Sequence, residues 1–234
     1  MSIFTRKKET EVENNSKFIP YHHLAIFDRT HKPTERGEGV ACAIICYTVV
    51  ETFINDVIAI YSFFGSTPVR VGENGHPADY YLSDIEREML DRLKAAERKD
   101  ILYKLSIIGE WEESEKWYQQ LKELKQIRNE LVHLKPEEVI ICNDTGKLSG
   151  YPKFLNNLLQ KKIIEAPNKA TSWIELLENR EFCLWCQEVT YQIIKAAKGK
   201  LPASNVKDYF NEETYFPFSS DVMRERYKHS DSLT

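Results

Sequence analysis

Apolar and polar positions along this chain recur mostly with helical spacing. The clearest case is the stretch 121–136, LKELKQIRNELVHLKP. At about 100° per residue, Leu121, Leu124, Ile127, Leu131 and Leu134 share one arc, which Trp117 extends backwards. Lys122, Gln126, Asn129 and His133 share the opposite arc. This pattern predicts an amphipathic helix with one face in a core and the other in water. Pro136 stops it, because the residue before a proline is driven out of the α region. His133 is then in the last turn, where the helix dipole favours an imidazolium. Arg128 breaks the pattern: it is a permanent charge inside the apolar arc, and needs a partner or a route to water.

The most apolar stretch, Glu38–Phe64, is too long for a strand and reads as a buried helix. Glu51 and Asn55 interrupt it at i and i+4 on one face, with Asp56 beside them. A carboxylate there needs a cation or hydrogen-bond donors. Two readings stay open. Glu51 meets Arg128 between packed helices, or Glu51 and Asn55 set helix register or cap a neighbour. Ser83-Asp84-Ile85-Glu86 forms a capping box that opens a helix to about Arg98. Asp100 caps the next helix, which runs through Leu102, Leu105 and Ile108 to Gly109. The central helix follows over 112–135, and 151–164 holds a short one. Ser172-Trp173-Ile174-Glu175 repeats the capping box and opens a helix to about Lys198, ended by Gly199 and Pro202. In 139–149, β-branched residues precede the turn cluster Asn-Asp-Thr-Gly, which predicts a small β-hairpin. Residues 65–81 read as a loop. The mixed segment 19–36 carries adjacent His22 and His23, which cannot share a helix face and read as surface or packing residues.

These elements predict an all-α helical bundle over 19–202 with a small β-hairpin insertion. A flexible charged segment, 1–18, precedes it. An aromatic-rich tail, 203–234, follows, and its Tyr209, Phe210, Tyr215, Phe216 and Phe218 suit docking on the bundle or a partner.

Composition narrows the function classes. A length of 234 residues fits one large domain. A net charge of −4 supplies no overall basic field, so any nucleic-acid site must be a local patch. No run of 18 uninterrupted apolar residues suggests a membrane span. The polar N-terminus shows no export signal. With that, the five cysteines read as reduced thiols in a cytoplasmic protein. Cys42 with Cys46 and Cys183 with Cys186 supply four thiols that could hold zinc. Both pairs lie inside expected helices, where cysteine behaves as a small hydrophobe, and core packing is the favoured reading. Phosphate-loop glycines, HExxH and a serine nucleophile turn are all missing, so no cofactor and no metal is expected.

Arg128-Asn129-Glu130-Leu131-Val132-His133 resembles the R-N-x-x-x-H signature of HEPN-domain proteins. Arg70…His76 and Arg224…His229 match its bare spacing, but the first lies in a glycine-rich loop and the second in a polar tail. Only the Arg128 copy has the asparagine, an amphipathic helix and a helix stop. Glu51 and Asn55, upstream on an apolar helix, are similar to the E-x-x-x-N pattern of many HEPN domains. The resemblance implies a HEPN-like bundle and a metal-independent endoribonuclease, in which the ribose 2′-OH attacks the adjacent phosphate. It implies His133 as acid or base, Arg128 on the phosphate oxygens, and Asn129 orienting the ring or the phosphate. Lys122, Lys125 and Lys135 would add phosphate contacts at the edge, and Glu51 and Asn55 would support Arg128. Arg128 and His133 sit roughly 140° apart around a helix. A homodimer that brings two motif helices together answers this. RNA is the expected partner, with an antitoxin or another defence-system protein, as for a toxin or antiviral-defence effector. Two other readings remain: a non-catalytic HEPN-type RNA-binding or dimerisation module in a larger defence complex, and a plain helical adaptor with a structural Glu51–Arg128 pair. Some HEPN toxins carry a tyrosine two residues after the histidine, where a partner enzyme modifies it. Lys135 stands there in this chain, which argues against that mode of neutralisation.

Overall fold

The computed structural model describes residues 21–66, 82–134, 140–141, 148–167, 169, 171–204, 206–207 and 210. Among them the helices are α1 (His22–Asp28), α2 (His31–Arg36), α3 (Gly39–Ser66), α4 (Asp84–Ala95), α5 (Ile101–Ile108), α6 (Lys116–Val132), α7 (Phe154–Gln160), α8 (Trp173–Leu177) and α9 (Arg180–Lys200). Two short strands, β1 (Ile140–Ile141) and β2 (Leu148–Ser149), pair antiparallel, Ile140 opposite Ser149 and Ile141 opposite Leu148. The chain is thus all-α with a minimal hairpin.

The axis of the bundle is α3. It packs against α1, α2, α4, α5, α6, α8 and α9. Cys42, Cys46, Val49, Val50, Phe53, Ile54, Val57 and Tyr61 along it are wholly buried. By length and composition it is apolar enough to cross a membrane once its isolated acidic residues are tolerated, a point that counting uninterrupted apolar runs misses. Here it is the core helix, with more than half of that apolar window inside the bundle. Its amino end is fastened by the far end of the chain. The Gly39 N–H donates to Glu178 Oε2 at 2.7 Å. A Cβ at position 39 would lie 1.8 Å from the Leu177 carbonyl oxygen, so only glycine fits there.

Local capping sets several helix starts as expected. Ser83 Oγ accepts from the Glu86 N–H at 3.3 Å, and Glu86 Oε2 accepts from the Ser83 N–H at 2.8 Å. Asp100 Oδ1 accepts from the N–H groups of Leu102 at 2.8 Å and Tyr103 at 3.3 Å. Four expectations need correction. The helix expected over 172–198 is two: Ser172 caps only α8, and Asn179 starts α9 by accepting the Phe182 N–H at 2.8 Å. Glu178 leaves the helical path to reach Gly39. The central helix begins at Lys116 and ends at Val132, which leaves Leu134 outside the core at 54% exposure. The apolar helix runs through Gly65 and Ser66, so no loop begins at 65. Finally, 22–36 forms two short helices instead of irregular chain. Neither has a side-chain N-cap; tertiary bonds hold both. Asp56 Oδ2 accepts from the His23 N–H at 2.9 Å and pairs with His23 Nδ1 at 2.6 Å. Gln187 Nε2 donates to Thr30 and Thr34 hydroxyls at 2.7 and 2.9 Å.

Phe210 of the tail is buried, stacked on Tyr61 and edge-on to Phe53. The expected flexible segment 1–18, the loop 67–81, the hairpin turn 142–147 and the tail aromatics Tyr209, Tyr215, Phe216 and Phe218 lie outside the described residues. So do the other Arg…His spacings and Lys135.

Candidate functional site

The carboxyl-terminal turns of α6 carry the motif. Leu121, Leu124 and Ile127 are fully buried and Leu131 nearly so, which locks the rotation of the helix. Arg128 lies at the edge of that buried face and is half-exposed. Its guanidinium carbon sits 5.3 Å from the centre of the Tyr47 ring on α3, and Nη1 donates to Asn129 Oδ1 at 3.2 Å. The expected Arg128–Glu51 ion pair does not form: Glu51 is exposed, and Arg128 has no carboxylate within ion-pair distance among the described residues. Both groups instead act on Tyr47. Burial pushes its phenol up to about 12; the Glu51 charge adds to the rise and Arg128 opposes it. The physical reason is the pitch of α3. Tyr47 and Glu51 are one turn apart on one side of the helix. The aromatic ring lies at the α6 contact, whereas the carboxylate lies in water.

His133 is the C-cap residue of α6, with φ −115° and ψ 39°, and it is exposed. Its backbone N–H donates to the Asn129 carbonyl at 3.0 Å. Asn129 therefore touches both motif partners, Arg128 through its side chain and His133 through its backbone. Asn55 is exposed on the same side of α3 as Glu51. Two of the lysines carry intramolecular partners. Lys122 Nζ lies 3.2 Å from Glu113 Oε1, and Lys125 Nζ 3.3 Å from Asp100 Oδ2. Partial burial raises the Asp100 carboxyl, but the N–H groups of Tyr103 and Leu102 and the Lys125 ammonium outweigh it and leave a net lowering.

The structure also gathers groups that the sequence pattern left apart. His22 Nδ1 reaches Asp56 Oδ1 at 3.2 Å, so one buried carboxylate serves both adjacent histidines. Burial lowers the His23 imidazole below its ordinary value despite the opposing pull of Asp56. Cys42, Cys46, Cys183 and Cys186 are free, buried thiols where α3 meets α9, with Cys42 and Cys46 sulfurs 3.9 Å apart. Burial and then the neighbouring thiols push Cys186 well above its usual range, so it stays protonated and unreactive. Among the described residues no group of three or more His, Cys, Asp or Glu is placed to hold a metal ion.

No family model, curated protein or solved structure matches this chain.

Proposed function

We propose that this chain is a HEPN-type bundle that cuts RNA without a metal ion, through 2′-OH attack on the adjacent phosphate. The observation that carries this reading is Arg128. An arginine at the rim of a core is ordinarily neutralised by a nearby carboxylate. This one rests on an aromatic face and an asparagine oxygen, and its charge stays available to an anion. The exposed His133 follows about 1.4 turns further on, as a candidate acid or base. Glu51 and Asn55 form an outward row on α3, the helix on which α6 packs.

One such surface is shallow. Two copies paired about a two-fold axis make a cleft, with His133 and Arg128 from both subunits lining it and RNA between them. Val132 and Leu134, 51% and 54% exposed on either side of His133, give that pairing apolar contacts. In this reading the protein works in the cytoplasm as a toxin or antiviral effector, restrained by an antitoxin or other defence partner.

The experiment is incubation of purified protein with RNA, with and without EDTA, followed by end-group analysis. The expected products carry 2′,3′-cyclic phosphate and are unaffected by EDTA. Loss of cleavage with EDTA would refute the metal-free mechanism. The pairing of Lys122 with Glu113 and Lys125 with Asp100 leaves fewer cations free for phosphates, which favours the dimerisation form of the second reading, a non-catalytic RNA-binding or dimerisation module. RNA binding without cleavage in every condition would select it.

A further inference from the structure

An arginine that grips a phosphate has two needs in conflict. It must be held still, because a long side chain loses rotamer freedom when it binds. It must also keep its N–H edge open, and a carboxylate that held it would occupy that edge. The surroundings of Arg128 meet both needs.

The guanidinium carbon lies 5.3 Å from the centre of the Tyr47 ring, inside the reach of roughly 6 Å over which an aromatic face attracts a cation. The ring holds the charge through its quadrupole and takes no N–H from the in-plane edge. One N–H, on Nη1, goes to Asn129 Oδ1 at 3.2 Å. The other donors of the guanidinium have no acceptor among the described residues.

The ring stands on fixed ground. Tyr47 is 4% exposed, a core residue of α3 that cannot follow a substrate. Leu124, Ile127 and Leu131 anchor α6 on either side of Arg128. Two carboxylates reach Tyr47 through their charge, Glu51 and Asp100. Neither neutralises the arginine. Glu51 is exposed on α3. Asp100 accepts the N–H groups at the start of α5 and pairs with Lys125 at 3.3 Å. The phenol stays protonated, pushed up to about 12 chiefly by burial, so the ring brings no charge of its own at neutral pH.

We propose that Tyr47 is a positioning residue for the phosphate-binding arginine, a core ring that fixes the Arg128 guanidinium while leaving its N–H edge to one phosphodiester. The inference rests on the reading of the motif as an RNA-cleaving site and assigns Tyr47 a part in it. Tyr47 acts through Arg128 and not on the substrate. Its contribution should grow as charge builds on the phosphate in the transition state.

Tyr47→Leu removes the ring but also opens a gap in the core, so the discriminating variants keep the ring. Position 47 of the full chain is replaced by phenylalanine and then by mono-, di- and trifluorophenylalanine. Each fluorine draws electron density off the ring face and barely changes its shape. Tyr47→Phe should rescue the wild-type rate. Across the fluorinated series kcat/KM on single-stranded RNA should fall stepwise, by about tenfold in all, with most of the loss in kcat. Melting temperatures should stay level, because a merely structural ring is indifferent to fluorine. Affinity for 2′-O-methyl RNA, which cannot be cut, should fall in the same order by about twofold to threefold. Wild-type cleavage with a flat fluorine series would overturn the role of Tyr47 and leave the cleavage reading standing. Graded loss of binding with no cleavage in any variant would overturn cleavage and keep Tyr47 as the residue that positions Arg128. Flat binding with no cleavage would overturn both.

Discussion

His23 and His133 lie in contrasting settings. His23 is 1% exposed, bonded to Asp56 through ring and backbone, and edge-on to Phe53. His133 stands in water at a helix end, its backbone held and its ring on the surface. The first is a structural fastener that ties α1 to α3; its ring is spent on the fold. The second contributes little to the fold and is available for chemistry. A histidine next to a carboxylate in a buried place is therefore weak evidence of a site. A histidine whose backbone is positioned while its ring is unengaged is the stronger candidate.

The contrast implies effects of different kind and size. His133→Ala should lower RNA cleavage by about 10²–10⁴-fold with an unchanged melting curve. Unaltered cleavage would return His133 to the ordinary surface. Asp56→Ala should do the reverse. It orphans the buried backbone N–H and ring nitrogen of His23 and should cost about 3 kcal/mol of stability, while the fraction still folded cleaves normally; chemical denaturation with activity measured below the transition separates the two.

A smaller effect comes from pH. Burial holds the folded His23 below its ordinary value of 6.5, and the charges of Lys198 and His22 push the same way, against Asp56. Between the folded value and 6.5 the unfolded chain binds more protons, so stability is whole above pH 6.5 and falls as pH drops through that window. Melting temperatures across that range should show the slope, and His23→Gln should flatten it. A modest stability effect belongs to Arg128. Arg128→Ala loses a ring contact of about 1 kcal/mol and strands no carboxylate, so it should abolish cleavage with a melting shift far below that of Asp56→Ala. A large shift would mean that Arg128 is a fastener too.

What could be read from the chain follows the range of the interactions. The Ser83 box and the Asp100 cap bond to residues two or three positions away, and the spacing displays them. The burial of Leu121, Leu124 and Ile127 follows from periodicity alone. The short α1 and α2 have no such local signal, because Asp56 and Gln187, far along the chain, hold them. The split between α8 and α9 depends on Glu178 reaching Gly39, 139 positions away. At the motif, the helix and its exposed end were legible, and the partner of Arg128 was not. A charge in an apolar arc suggests an opposite charge, and Glu51 was at hand. The ring of Tyr47, one turn earlier, meets the guanidinium by its face, and charge patterning does not register aromatic faces.

The fastening of Gly39 by Glu178 and Leu177 bears on synthesis. A chain made from its amino end completes α3 long before α8 and α9 exist. During that interval this long apolar helix, which by length and composition resembles a membrane span, has no partner for much of its surface. The pause has a defined end: α9 must emerge, and the turn before it must close on a residue that tolerates no side chain. Folding therefore waits on closure between distant parts of the chain, an arrangement of high contact order. Arrested or truncated chains lacking the last third should be held by chaperones or lost to aggregation, while shorter losses beyond Phe210 should leave the closure intact.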